Sequence, residues 1–203
     1  METIQGPRVE RIDADLLLGE GSLWCPRLGK WLLVNIHGKA AYLLDTATPG
    51  SPALQKFPLP EQVGTIVQRA PNPSKFTGEQ ALVALKSGLA YLDLTTGAVT
   101  PIPGAPAEPP KNRWNDGKCS PEGRFWGGTM EDATFTQGVG SLYVFDEGGI
   151  RKALGGVTIS NGLAWSLDGK TMYYIDTPRN DVQVSFILFL LLSVPTGWMH
   201  AEF

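Results

Sequence analysis

One punctuation mark recurs along this chain and limits what it can fold into. Pro26-Arg27-Leu28-Gly29-Lys30-Trp31, Pro121-Glu122-Gly123-Arg124-Phe125-Trp126 and Leu167-Asp168-Gly169-Lys170-Thr171-Met172 each read as a turn whose glycine is followed by a basic residue and then a strand. Gly78, after Pro73 and Ser74, marks a degenerate fourth copy. The four glycines stand about 45 to 49 residues apart, a period that matches one four-stranded propeller blade. Three copies carry a second hairpin signal: Ala41-Tyr42-Leu43-Leu44-Asp45, Ala90-Tyr91-Leu92-Asp93 and Leu142-Tyr143-Val144-Phe145-Asp146, with Gly50, Gly97 and Gly148 shortly after. Two hairpins per repeat make a blade, so the chain is expected to be all-β with about four blades.

Composition agrees. Glycine and proline (24 and 16 residues) make up about a fifth of the 203 residues and separate short runs rich in Val, Ile, Leu, Tyr and Trp. A net charge of -3 with interspersed signs offers no basic stripe for a phosphate backbone, which argues against nucleic acid as a partner. Cys25 and Cys119 form no CxxC pair, so neither a disulfide framework nor a thiolate metal site is legible, and a reducing, cytoplasmic setting is expected. Residues 1–18 contain Glu2, Glu10, Asp13 and Asp15 where a secretory signal needs an apolar run. The apolar segment 186–192 falls short of the roughly 18 residues that span a bilayer, so no membrane partner is expected.

The fourth copy starts its third strand as Asp181-Val182-Gln183-Val184 and then loses the pattern. The chain therefore divides into a partial propeller at 7–183 and an apolar tail at 184–203 that fits no copy. That tail is expected to be foreign to the repeat, translated intron for instance; a genuine C-terminal strand or short helix is the alternative.

Equivalent residues of the innermost strands converge on one channel mouth in a propeller. Counting back eight or nine residues from the turn glycines gives Glu20, Asn115 and Asn161, all oxygen donors, whereas in the degenerate copy the count falls near Arg69, with Gly64-Thr65 just before it. A carboxylate and two amides suit a hard divalent cation. Asn-Gly and Asp-Gly are also ordinary turn dipeptides, so spacing alone leaves both readings open.

Leu18-Gly19-Glu20-Gly21-Ser22-Leu23-Trp24, Asn112-Arg113-Trp114-Asn115-Asp116-Gly117-Lys118, Gly127-Gly128-Thr129-Met130 and Ile159-Ser160-Asn161-Gly162-Leu163-Ala164-Trp165-Ser166 closely resemble the ordered motifs of the regucalcin (senescence marker protein) and gluconolactonase family. Tyr173-Tyr174-Ile175-Asp176-Thr177 extends the match. The resemblance implies a six-bladed propeller, present here as an incomplete, open one. It also implies a metal-dependent sugar-lactone hydrolase with one divalent metal ion: calcium first, with zinc, manganese or magnesium as alternatives. Glu20 and Asn161 are then metal ligands, and Arg113 and Asn115 hold the oxygens of a small-molecule sugar lactone.

Two departures from the family pattern matter. An acidic residue that contacts substrate in some members corresponds here to Ala133, just after Glu131 and Asp132. The family's aspartate that serves as ligand and general base comes one repeat after Asn161, beyond Phe203, and Asp168, Asp176 and Asp181 are too early to replace it. Impaired or absent turnover is therefore expected, as is self-association through open propeller edges. A calcium-binding regulatory protein without catalysis, or a propeller interaction module, are the alternative functions. His37, before Gly38, reads as a turn histidine, and Trp24, Trp126 and Trp165 as packing between blades.

Overall fold

The repeated turn glycines adopt the left-handed backbone that a side chain disfavours: φ is +61° at Gly29, +85° at Gly78, +80° at Gly123 and +68° at Gly169. Each closes the first hairpin of a four- or three-stranded antiparallel sheet in the computed structural model, which describes residues 16–47, 53–72, 74 and 78–186. The first sheet holds β1 (Gly19–Cys25), β2 (Lys30–Asn35), β3 (Ala40–Asp45) and β4 (Ala53–Pro58). The second holds β5 (Val63–Gln68), β6 (Gln80–Leu85), β7 (Gly88–Asp93) and β8 (Val99–Pro101). The third holds β9 (Asn112–Cys119), β10 (Phe125–Glu131), β11 (Gly140–Asp146) and β12 (Gly149–Val157). The fourth holds β13 (Ser160–Trp165), β14 (Thr171–Asp176) and β15 (Gln183–Phe186).

Each sheet runs in chain order and is one blade of an incomplete β-propeller. The second hairpins share a device: the aspartate that ends each third strand accepts backbone amides of the turn. Asp45 takes Ala47 N at 2.9 Å, Asp93 takes Thr95 N at 2.8 Å and Thr96 N at 2.7 Å, and Asp146 takes Gly148 N at 2.8 Å. That is why an aspartate recurs there in the sequence. In the third blade the left-handed residue is Gly149 rather than Gly148, and Gly50 lies outside the described residues.

Each blade boundary has its own apolar cluster, which is how a propeller distributes its core. Leu32, Val34, Val63, Ile66, Val83 and Leu92 join the first and second blades. Trp114, Phe125 and Tyr143 meet Val67, Leu82 and Leu89 between the second and third. Leu142 and Val157 meet Leu163, Met172 and Tyr174 between the third and fourth, with Trp126 and Trp165 packed against them. Trp24 departs from the expected role: it is 41% exposed and packs on Trp31 with ring centroids 5.3 Å apart. Paired in register, the two rings lie on the first blade's face away from the second. Cys25 and Cys119 are buried and unbridged, and burial pushes the Cys119 thiol up to about 12.

Strand β15 pairs with β14 from Gln183 to Phe186 and so crosses the boundary expected at 183/184. The rest of the expected tail, residues 187–203, lies outside the described residues. Among the described residues no helix is long and apolar enough to cross a membrane.

Candidate functional site

The first strands of the four blades, β1, β5, β9 and β13, pack in succession, and every one of them carries a bulge. The bulge falls between Glu20 and Leu23 in β1, between Val63 and Thr65 in β5, and between Asn161 and Leu163 in β13. In β9 the residues Asn115 and Asp116 stand opposite Gly128 alone. Bulges re-aim side chains out of the pleat, and here they fall at the polar residues that the sequence places in one register. In the second blade that register is Val63-Gly64, not Arg69. Arg69 follows the other end of β5, its guanidinium 3.6 Å from the Tyr91 ring centroid and bonded to Gln80 Oε1 at 2.5 Å. Gly64 contributes by having no side chain: a Cβ there would lie 2.3 Å from the Trp114 carbonyl oxygen and 2.5 Å from that of Asn115. The second blade thus lets β9 come close at the site.

Three of the four expected residues form one hydrogen-bonded set. Arg113 Nη1 donates to Asn115 Oδ1 at 2.6 Å, and Asn115 Nδ2 donates to Asn161 Oδ1 at 3.0 Å and to the Ser160 carbonyl at 2.8 Å. Asn161 Nδ2 in turn donates to Thr177 Oγ1 at 2.7 Å. Glu20 is exposed on β1 and makes no hydrogen bond or ion pair with the described residues, so it shares the register without joining the set. Among the described residues no three His, Cys, Asp or Glu side chains group as a metal cage. The donors on offer are a carboxylate and amides, oxygen ligands suited to a hard cation.

Sequence reasoning left the partners of Arg113 unassigned. Its Nε donates to Asp132 Oδ1 as an ion pair, and Asp132 Oδ2 accepts from Gln62 Nε2 at 2.7 Å. The same Gln62 nitrogen lies 3.0 Å from Nδ1 of His37, which sits in the turn between β2 and β3. Burial raises the Asp132 carboxyl, but the bonds from Arg113 and Gln62 outweigh it and hold the group below its ordinary value. Ala133, at the position of the expected acid, donates its amide to Glu131 Oε1 at 3.2 Å. The acid that matters locally is its neighbour. Asp116 was also overlooked, although it precedes Gly117 as Glu20 precedes Gly21 and Asn161 precedes Gly162. Burial pushes its carboxyl up, partly offset by the amides of Gly117 and Gly162.

Known proteins resemble this chain in sequence and in fold. A family model described as SMP-30/Gluconolactonase/LRE-like region matches residues 18–186. Regucalcin of Xenopus laevis is 33% identical over 165 residues, 79% of this chain and 52% of the relative. A 6-deoxy-6-sulfogluconolactonase of Pseudomonas putida is 31% identical over 166 residues, 81% of this chain and 53% of the relative. Among solved structures, a calcium-binding protein, regucalcin, from Agrobacterium tumefaciens aligns with a TM-score of 0.71 and 29% identity, over 85% of this chain and 55% of that one. The chain spans about half the length of the curated relatives it matches. With matched motifs, matched blades and a family model covering most of its length, this chain belongs to the SMP-30/gluconolactonase/LRE-like family.

Proposed function

We propose that these blades form the cation-binding and sugar-binding part of a metal-dependent sugar-lactone hydrolase of the gluconolactonase kind. The observation that carries the reading is the bonded set of Arg113, Asn115 and Asn161 at the strand bulges, in a chain of this family. Glu20 and Asn161 are the residues that would hold a divalent cation, calcium in the first instance. Glu20 has both oxygens free of partners among the described residues, and the Ser160 carbonyl, which can only accept, fixes Asn115 Nδ2 as a donor and so the facing end of Asn161 as the oxygen. When bound, such a cation polarises a lactone carbonyl and eases deprotonation of water.

The remaining work falls to the chain's own side chains. Arg113 donates to sugar oxygens from a buried position, and Asn115, held at both ends of its amide, orients a hydroxyl as donor or acceptor. No described carboxylate stands ready as the general base. Asp168 caps a turn, Asp176 accepts the amides of Thr158 and Ile159, and Asp181 pairs with Arg179. Asp116 is tied to the Gly117 amide at 2.8 Å. Turnover by this chain alone is therefore proposed to be impaired. A calcium-binding role without catalysis would use the same oxygens, and one solved relative is described as calcium-binding.

Hydrolysis of a panel of aldonolactones with added Ca²⁺, Zn²⁺ or Mn²⁺, beside Asn161→Ala, tests the reading. Metal-dependent turnover lost in the variant supports it, and cation binding without turnover gives the calcium-binding alternative. Turnover that ignores both metal and Asn161 removes it.

A further inference from the structure

Arg113 is buried, its side chain 5% exposed, and almost fully committed. Nε donates to Asp132, while Nη1 donates to the Trp114 carbonyl at 3.0 Å and to Asn115 Oδ1 at 2.6 Å. Only Nη2 is left without a partner among the described residues. A guanidinium grips a carboxylate, phosphate or sulfonate through two adjacent nitrogens, either Nε with Nη2 or Nη1 with Nη2. Each of those forks has one nitrogen already taken. The positive charge is also compensated, because Asp132 lies against it and is itself held by Gln62 from the second blade. Opposite charges in a largely dehydrated setting interact far more strongly than in water, so an incoming anion meets a donor with little net attraction.

Resting on the sugar-lactone reading and extending it, we infer that Asp132 is a specificity-determining positioning residue. Anchored by Gln62, it occupies and neutralises Arg113, so that the site accepts neutral sugar oxygens through single hydrogen bonds and discriminates against sugars bearing an anionic substituent. Asp132 acts through Arg113 and needs no contact with the sugar. Removing its charge while keeping its shape is expected to convert Arg113 into an anion site.

Calorimetric titration of the full chain in metal-free buffer tests this with two probes: sulfate, a bare anion, and D-gluconolactam, a neutral analogue of the lactone. The proteins compared are wild type, Asp132→Asn, Asp132→Glu, and Asp132→Asn combined with Arg113→Gln. Sulfate is expected to bind Asp132→Asn at least tenfold more tightly than wild type or Asp132→Glu, and the gain is expected to vanish in the double variant. Equal sulfate affinity in wild type and Asp132→Asn, or a gain that survives loss of Arg113, overturns the inference. Failure of the sugar reading looks different: wild type then ignores the lactam whatever sulfate does. Should Asp132→Asn not fold, ¹⁵N NMR of the arginine side chains in wild type decides. Slow solvent exchange of the Arg113 Nε–H supports the pairing with Asp132, and fast exchange refutes it.

Discussion

Asn115 Nδ2 donates to Asn161 Oδ1 at 3.0 Å and so ties the third blade to the fourth through the two amides of the site. The bond orients both groups. Asn161→Ala leaves Asn115 Nδ2 with the Ser160 carbonyl alone and deprives Thr177 Oγ1 of its donor. A net loss of about 1 kcal/mol is expected for a hydrogen bond of this kind, read as a lower midpoint in urea denaturation with an unchanged slope. An unshifted midpoint would show that the amide pair adds nothing to blade cohesion.

Close approach of β5 and β9 rests on the missing side chain at Gly64. Gly64→Ala would put a methyl group 2.3 Å from the Trp114 carbonyl oxygen, and relief requires backbone movement. A loss of about 1–3 kcal/mol is expected, as for overpacked cores. Gly155→Ala, with nothing within 4 Å of the added atom, is the control and should be close to neutral. Comparable melting temperatures for the two variants would contradict the packing of the second blade on the third.

The acid limb of stability should depend on Glu131, whose carboxylate organises the loop that carries Asp132. It accepts the Thr134 hydroxyl at 2.7 Å and the amides of Thr134 at 2.6 Å and Ala133 at 3.2 Å. The Thr134 hydroxyl foremost, and the amides with it, hold this group down from 4.5 to about 2 against the opposing effect of burial. A carboxyl depressed in the folded state stabilises fully above its unfolded pKa, and the contribution fades as pH falls through the folded value. Thermal melts of wild type should therefore drop between about pH 4.5 and 2, and those of Glu131→Gln should drop less. Parallel curves for the two proteins would refute the assignment.

Both outer blades expose apolar side chains on the face turned away from their neighbour. Trp24 and Trp31 do so on the first blade, and Tyr173, Ile175 and Val184 on the fourth, where Met172 and Tyr174 face inward. Sedimentation velocity should show concentration-dependent association of this chain, weakened by Tyr173→Ser with Val184→Thr. A monomer at all concentrations would contradict it.

The blades were legible because their marks are local. Gly29, Gly123 and Gly169 need a backbone that few other residues tolerate, and Asp45, Asp93 and Asp146 cap turns within three residues of themselves. Register counting found Asn115 and Asn161 for the same reason, since it measures distance along one strand. It misplaced the second blade at Arg69 because the long turn around Gly78 stretches the count. It passed over Asp132 and Gln62 because the bond of Asp132 to Arg113 and that of Gln62 to Asp132 join residues 19 and 70 positions apart, and nothing in local pattern announces such pairs. The exposure of Trp24 was missed for a related reason: recurrence at a strand position does not show whether other described residues cover the side chain.

Calcium titration of the intact chain is the most direct test of whether Glu20 and Asn161 act together. Calorimetry should give one binding event in wild type, weakened at least tenfold by Glu20→Gln and again by Asn161→Ala. Absence of binding in wild type, or affinity unchanged by both substitutions, would contradict the proposal that these strand bulges build a cation site.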